Sequence, residues 1–179
     1  MRESRQPAER EYWCELATPV GTLLLAGSAA ALTRVHFQSG PKPLRPPAQW
    51  HRDSAPFARV IEQLNEYFTA GRREFDLPLA PVGSLYRQRV WCALLAIPYG
   101  ATRTYLDIAR VAGGSPRSVG GANGANPIPI IIPCHRVIAT SGLGGYSGGD
   151  GLPTKRALLA LEGAYRQASP GHALQATLI

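Results

Sequence analysis

Apolar and polar positions change their period along this chain, and the changes predict its elements. Residues 12–17, 21–27 and 32–37 are apolar runs separated by Thr18-Pro19-Val20-Gly21 and Gly27-Ser28, the pattern of a β-meander. Residues 40–49 carry four prolines and two cations, so neither a ladder nor a helix can continue there and a surface loop is expected. Phe57, Val60, Ile61, Leu64 and Phe68 then recur at helical spacing, with Ser54 as candidate N-cap and Gly71 as terminator. Residues 75–79 read as a short extended piece. The break at Pro81-Val82-Gly83 sets an expected boundary: an N-terminal domain at 1–82, a second domain at 83–165 and a tail at 166–179.

The second half reads as mainly helical. Ser84 caps a helix with Val90, Trp91, Leu94 and Leu95 as its buried stripe, and Ile97-Pro98-Tyr99-Gly100 stops it. A short helix follows Thr104, with Asp107 in its first turn, where the helix dipole favours a negative charge. Residues 112–115 form a turn, Ser115 caps, Pro116 takes the first helical position, and residues 116–125 form another short helix. Helix, Gly-containing turn, helix is the pattern of a helix-turn-helix. Its second helix is unusual. Gly120, Gly121, Ala122, Gly124 and Ala125 are very small or poor helix formers, which points to close approach by another backbone or a ligand, with tight helix–helix packing as the alternative.

Charge adds a direction. The net charge is +7, yet residues 1–82 hold ten Lys/Arg against nine Asp/Glu, while residues 83–165 hold eight against three. The excess therefore sits in the second half and suggests a polyanion partner there. With 45% hydrophobic and 17% charged residues the chain can bury an ordinary core. No apolar run approaches the roughly 20 residues that span a bilayer, and residues 1–11 lack the apolar core of a signal peptide. A soluble, cytoplasmic monomer without membrane contact is expected. Cys14, Cys92 and Cys134 are sparse and odd in number, which fits a reducing compartment, and the absence of a CxxC or HxxxH pair leaves no expected metal or cofactor.

The candidate chemistry lies in residues 126–139. Pro127, Pro129 and Pro133 exclude an α-helix and predict extended chain, delivering Cys134-His135-Arg136 from a buried segment. A thiol beside an imidazole and a guanidinium has a route to a lowered pKa and nucleophilic attack. Neighbours in extended chain point opposite ways, so a water can bridge His135 and the sulfur. The Gly-rich residues 142–151, holding Tyr146 and Ser147, are either a loop that closes over a substrate or a plain surface loop. Glu162 ends an apolar helix where the dipole disfavours an anion, so it is either solvated or held for a partner such as His135.

These strings resemble the O6-alkylguanine-DNA alkyltransferases. The resemblance rests on Asn126-Pro127, Pro133-Cys134-His135-Arg136-Val137, Gly145-Tyr146-Ser147-Gly148-Gly149 and Leu158-Leu159-Ala160-Leu161-Glu162-Gly163. It reaches back through Ile97-Pro98-Tyr99-Gly100 and Arg89-Val90-Trp91 to residues 18–27 and covers about residues 12–165. It implies a ribonuclease-H-like α/β N-terminal domain, a mainly α C-terminal domain with a helix-turn-helix, and stoichiometric alkyl transfer from double-stranded DNA to the protein. O6-alkylguanine is the implied substrate, and O4-alkylthymine is left open.

By position, Cys134 is the acceptor, Glu162 and His135 relay its proton through water, Tyr105 hydrogen-bonds the departing guanine and Asn126 braces the turn. DNA contact falls to Arg117, Ser118, Gly120, Gly121, Ala122, Asn123 and Arg136. The substrate pocket falls to Tyr146, Ser147, Pro129 and Val137. The segment between Ile108 and Arg117 is shorter than usual in the family, so Arg117 either replaces the flipped base or contacts a phosphate. Two competing readings lack support: a thiol protease needs a further His with an orienting partner, which His36, His51 and His172 do not supply, and a plain helix-turn-helix regulator leaves Pro-Cys-His-Arg unexplained.

Overall fold

The computed structural model describes residues 10–40 and 43–164; the expected tail at 166–179 lies outside them. Strands β1 (Tyr12–Leu16), β2 (Leu23–Gly27) and β3 (Leu32–Phe37) form the meander, and β4 (His51–Arg52) adds to it. The sheet order is β3-β2-β1-β4, antiparallel except that β4 runs parallel to β1. β4 was not evident in the sequence, because a two-residue strand of His and Arg carries no apolar signal.

Helix α1 (Ala58–Thr69) follows a single 3-10 turn at Ala55–Phe57. Ser54 stands at the start of that turn, but its side chain caps nothing; Asp53 accepts from the Ala55 amide instead. The buried stripe of α1 is Val60, Gln63, Leu64 and Tyr67. It is rotated from the expected one because Gln63 is drawn in by two hydrogen bonds to the backbone of Asp76.

The second half holds α2 (Leu85–Leu95), β5 (Arg103–Thr104), α3 (Tyr105–Ala112), α4 (Pro116–Gly124), β6 (Val137–Ile138) and α5 (Leu152–Leu161). The expected caps Ser84 and Ser115 are present, and Thr104 adds a third. Ser84 accepts from the Arg87 amide, and Thr104–Asp107 and Ser115–Ser118 each form a reciprocal capping box. These short helices therefore begin where their sequence says they should. Trp91 of α2 is buried and donates from Nε1 to the Ala122 carbonyl at 3.0 Å, which fixes α4 against α2.

The two halves meet along β3. Its backbone exchanges hydrogen bonds with residues 78 and 80 through Leu32, and Val35 donates to the Pro127 carbonyl at 2.9 Å. The open edge of the sheet is thereby covered by the turn that leads to Cys134, which removes an edge that would otherwise be free to pair.

Candidate active site

Residues 126–136 are not extended. Asn126 donates to the Ile132 carbonyl and accepts from the Ile128 amide, so its side chain closes a turn that the prolines only prevent from becoming helix. Ile130 within it has φ +75°, a left-handed conformation that a β-branched residue rarely adopts. Such a residue costs on the order of 1–3 kcal/mol and persists only where its surroundings over-determine it; here it is fully buried. Cys134–Arg136 is a single 3-10 turn that aims consecutive side chains to different sides.

Cys134 lies on a cavity of about 480 Å³, within the range of small-molecule sites. The walls are Tyr105 at the start of α3, Pro116, Gly120, Asn123 and Gly124 of α4, and Gly145, Tyr146 and Ser147 of the loop. The loop is thus part of the site. Tyr105 donates to the Gly145 carbonyl at 3.3 Å. A methyl built on Gly120 or Gly124 meets nothing closer than 4.0 Å, and one on Gly121 meets nothing. Tight helix packing therefore does not explain these glycines; their face is left open, towards the cavity and solvent.

On the other side of the 3-10 turn, His135 and Glu162 are fully buried, with Nε2 2.8 Å from Oε1. Arg136 clasps the same carboxylate through Nε (2.8 Å) and Nη2 (3.0 Å) and donates Nη1 to the Ile97 carbonyl. Glu162 also accepts from the Gly100 amide and from the Tyr67 hydroxyl at 2.7 Å. Burial opposes its charge, but His135 and Arg136 outweigh that and hold its carboxyl down at about 2. With Glu162 ionised, His135 Nε2 must carry the proton and donate it, so a neutral His135 keeps its lone pair on Nδ1. Nδ1 is buried and has no hydrogen-bond partner among the described residues. Burial pushes the His135 pKa below its ordinary value, so the ring rests neutral.

The electrostatics of Cys134 differ from the sequence expectation. Burial pushes the thiol up; the Asn126 side chain, the Lys155 ammonium and the Tyr146 hydroxyl pull it back. Arg136 does not activate the sulfur, because its guanidinium is spent on Glu162. The fully buried Lys155 was not singled out by its sequence, since a lysine on a helix normally reads as solvated. Its Nζ donates to the carbonyls of Val137 (2.6 Å), Leu143 (2.5 Å) and Gly145 (3.2 Å), tying the loop to the strand after Cys134. Burial draws its pKa down to about 8.

Several assignments need revision. Arg136 is 5% exposed and occupied, so we read it as a partner of Glu162 and not as a DNA contact. Ala122 is buried in the core. Ser118 spends its hydroxyl on Ser115 and on Tyr86 Oη at 2.7 Å. Val137 is fully buried and lines neither this cavity nor its neighbour, whereas Pro129 lines the neighbouring one of about 260 Å³, which also includes Tyr146 and Ser147. Arg117 and Gly121 remain exposed on α4, and Asn123 is half-buried with its Oδ1 turned in. No group of three potential metal-ligating side chains occurs among the described residues, and no described helix is long and apolar enough to cross a membrane.

The fold and site define a class of protein in which an α/β domain is joined to a helix-turn-helix domain and a buried thiol lies on a cavity walled by the second helix. Residues 12–81 match the family model described as the ribonuclease-like domain of 6-O-methylguanine DNA methyltransferase, and residues 85–164 match that of its DNA binding domain. The chain belongs to this family. It is 48% identical over 155 residues to a methylated-DNA–protein-cysteine methyltransferase of Mycobacterium tuberculosis, covering 84% of this chain and 92% of that one. It is 44% identical over 156 residues to the same kind of protein from Methanosarcina acetivorans, covering 86% and 99%. The crystal structure of the M. tuberculosis O6-methylguanine methyltransferase superimposes with a TM-score of 0.78 at 44% identity, covering 88% of this chain and 96% of that one. A crystal structure of the M. tuberculosis protein in complex with DNA gives 0.77 at 45%, covering 86% and 93%.

Proposed function

We propose that this chain repairs DNA by moving the alkyl group of O6-alkylguanine irreversibly onto Cys134. The observation that carries the reading is the pairing of a buried thiol, on a cavity roomy enough to admit a base, with a neutral His135 held by an ionised Glu162. The alkyl carbon is bonded to O6. Sγ attacks that carbon, the S–C bond forms as the C–O6 bond breaks, and the electron pair leaves with guanine. The thiol proton passes through a water to His135 Nδ1, and Glu162 stabilises the imidazolium. A proton returned to the base leaves neutral guanine and a thioether. The thioether is stable, so each molecule acts once.

The target atom lies inside a duplex, so the nucleotide must be turned out into the cavity. The open glycine face of α4 lets backbone approach the minor groove, where sequence readout is weak. Tyr105 lines the cavity and donates to the leaving base, Asn126 holds the turn, Tyr146 and Ser147 flank the base, and Arg117 with the α4 backbone meets the DNA. From the three free cysteines, which suit a reducing compartment, we infer a cytoplasmic location.

Intact-mass analysis after incubation with an O6-methylguanine duplex tests the reading. One increment of about 14 Da, a CH2, is expected on the Cys134 peptide. Cys134→Ala is expected to bind DNA without transfer. Label on Cys14 or Cys92, or repeated turnover, overturns it.

A further inference from the structure

Glu162 Oε1 receives three donors: His135 Nε2 at 2.8 Å, Arg136 Nη2 at 3.0 Å and Tyr67 Oη at 2.7 Å. The first two come from the Cys134 turn. Tyr67 comes from α1 of the N-terminal domain, 95 residues away in sequence. Its ring is buried and boxed by Phe68, Phe75 and Tyr99, at centroid distances of 5.1, 5.5 and 6.1 Å. The hydroxyl can only donate here, because an ionised carboxylate only accepts. A carboxylate oxygen offers two lone-pair directions, so three donors share it and each weakens the hold of the others.

We propose that Tyr67 is a positioning residue of the proton relay: its hydroxyl fixes Oε1 opposite His135 Nε2 and takes up part of the charge that would otherwise bear on the imidazole. The N-terminal domain thereby sets how readily His135 accepts the proton of Cys134. This rests on the alkyl-transfer reading above. The other charged groups around the pair are Arg136 and Lys155, which disfavour the imidazolium. Tyr99, with Arg73 and Arg136 over its ring, completes the surroundings of Glu162. All of these stay in place when the Tyr67 hydroxyl alone is changed.

The test is the pH profile of single-turnover transfer from free O6-benzylguanine, which needs no DNA binding. Removing the hydroxyl in Tyr67→Phe leaves Oε1 more fully to His135, makes the ring more basic and moves the acid limb to higher pH. A shift of at least half a unit is expected, seen as a rate about threefold lower on that limb. Site-specific replacement of Tyr67 by a ring-fluorinated tyrosine keeps the ring, its packing and the hydroxyl but makes it a stronger donor. It is expected to move the limb the opposite way, and it carries the test alone if Tyr67→Phe does not fold. Phe68→Leu disturbs the same aromatic box without touching the hydroxyl and is expected to lower stability with the limb unmoved. Unchanged limbs in both Tyr67 variants, or shifts of the same sign, overturn the role of Tyr67 while wild-type labelling of Cys134 leaves the transfer reading intact. A wild-type protein that does not alkylate Cys134 overturns both.

Discussion

Asn126 Nδ2 donates to the Ile132 carbonyl at 2.8 Å while its Oδ1 accepts from the Ile128 amide at 3.0 Å, so one side chain closes the turn that carries Cys134. It also lowers the pKa of the thiol by hydrogen bonding. Asn126→Ala leaves two backbone groups unpaired, at about 1–3 kcal/mol each. Asn126→Asp keeps the acceptor but sets a carboxylate beside the sulfur. Both are expected to slow transfer at neutral pH more than about tenfold, equivalent to over 1.4 kcal/mol in the barrier. Thermal melts should show the larger stability loss in the alanine variant.

The thiol that reacts with substrate is expected to be the slow one towards general electrophiles. Cys134 is buried and its pKa raised, whereas Cys92 lies exposed on α2. Timed iodoacetamide labelling at neutral pH, read by peptide mapping, should mark Cys92 first. The O6-methylguanine duplex should mark only Cys134. Faster iodoacetamide labelling of Cys134 would mean that a free thiolate is already present.

Acid is expected to destabilise the fold in two stages. His135 is held neutral in the folded state, below its ordinary 6.5, so the unfolded chain binds that proton first and stability falls as pH drops through about 6.5. Glu162, held at about 2 against an ordinary 4.5, contributes stability above 4.5 that is lost as pH falls from there towards 2. Melting temperature against pH should decline in that order, and His135→Asn should abolish the first stage and reduce the second to the part that Arg136 sustains.

Stability and function are expected to part at Gly121. A methyl there meets no atom, so Gly121→Ala should stabilise α4 by about 0.5–1 kcal/mol. Gly121→Leu fills the open face and is expected to weaken duplex binding while transfer from free O6-benzylguanine continues. Tighter duplex binding by the leucine variant would remove α4 from the DNA interface.

Arg117 is exposed at the start of α4 and pairs with no described acidic residue. If it fills the gap left by a flipped base, Arg117→Ala should slow repair of duplex DNA and leave free O6-benzylguanine almost unaffected. If it meets a phosphate, all DNA binding should weaken alike and the salt slope should drop by about one. Equal duplex rates at saturating protein remove it from the mechanism.

Local signals were legible in the sequence and distant ones were not. Ser84, Thr104 and Ser115 cap helices through groups three residues away, so their roles can be read from spacing. Cys134 stood out because three prolines, Pro127, Pro129 and Pro133, lead up to it. Tyr67 lay outside the predicted apolar stripe, and nothing local marked it, since its partner Glu162 is 95 residues on. Lys155 was hidden in the same way, because three carbonyls brought together only by the fold make its burial tolerable. Arg136 misled for the opposite reason: a cation beside the nucleophile in sequence faces away from it in a 3-10 turn.

The bare face of α4 bears on how such a protein travels. Side chains that read bases must withdraw from one step and reseat in the next, and each reseating is a barrier to motion along the duplex. A face of backbone and glycine meets nearly the same groove at every base pair, so its energy profile along DNA is smooth. On the alkyl-transfer reading proposed above, the molecule would spend little time on any undamaged step, and its one irreversible act would be reserved for the nucleotide that enters the cavity. For a protein consumed by a single reaction, that low friction governs how many base pairs each copy inspects before it is used up.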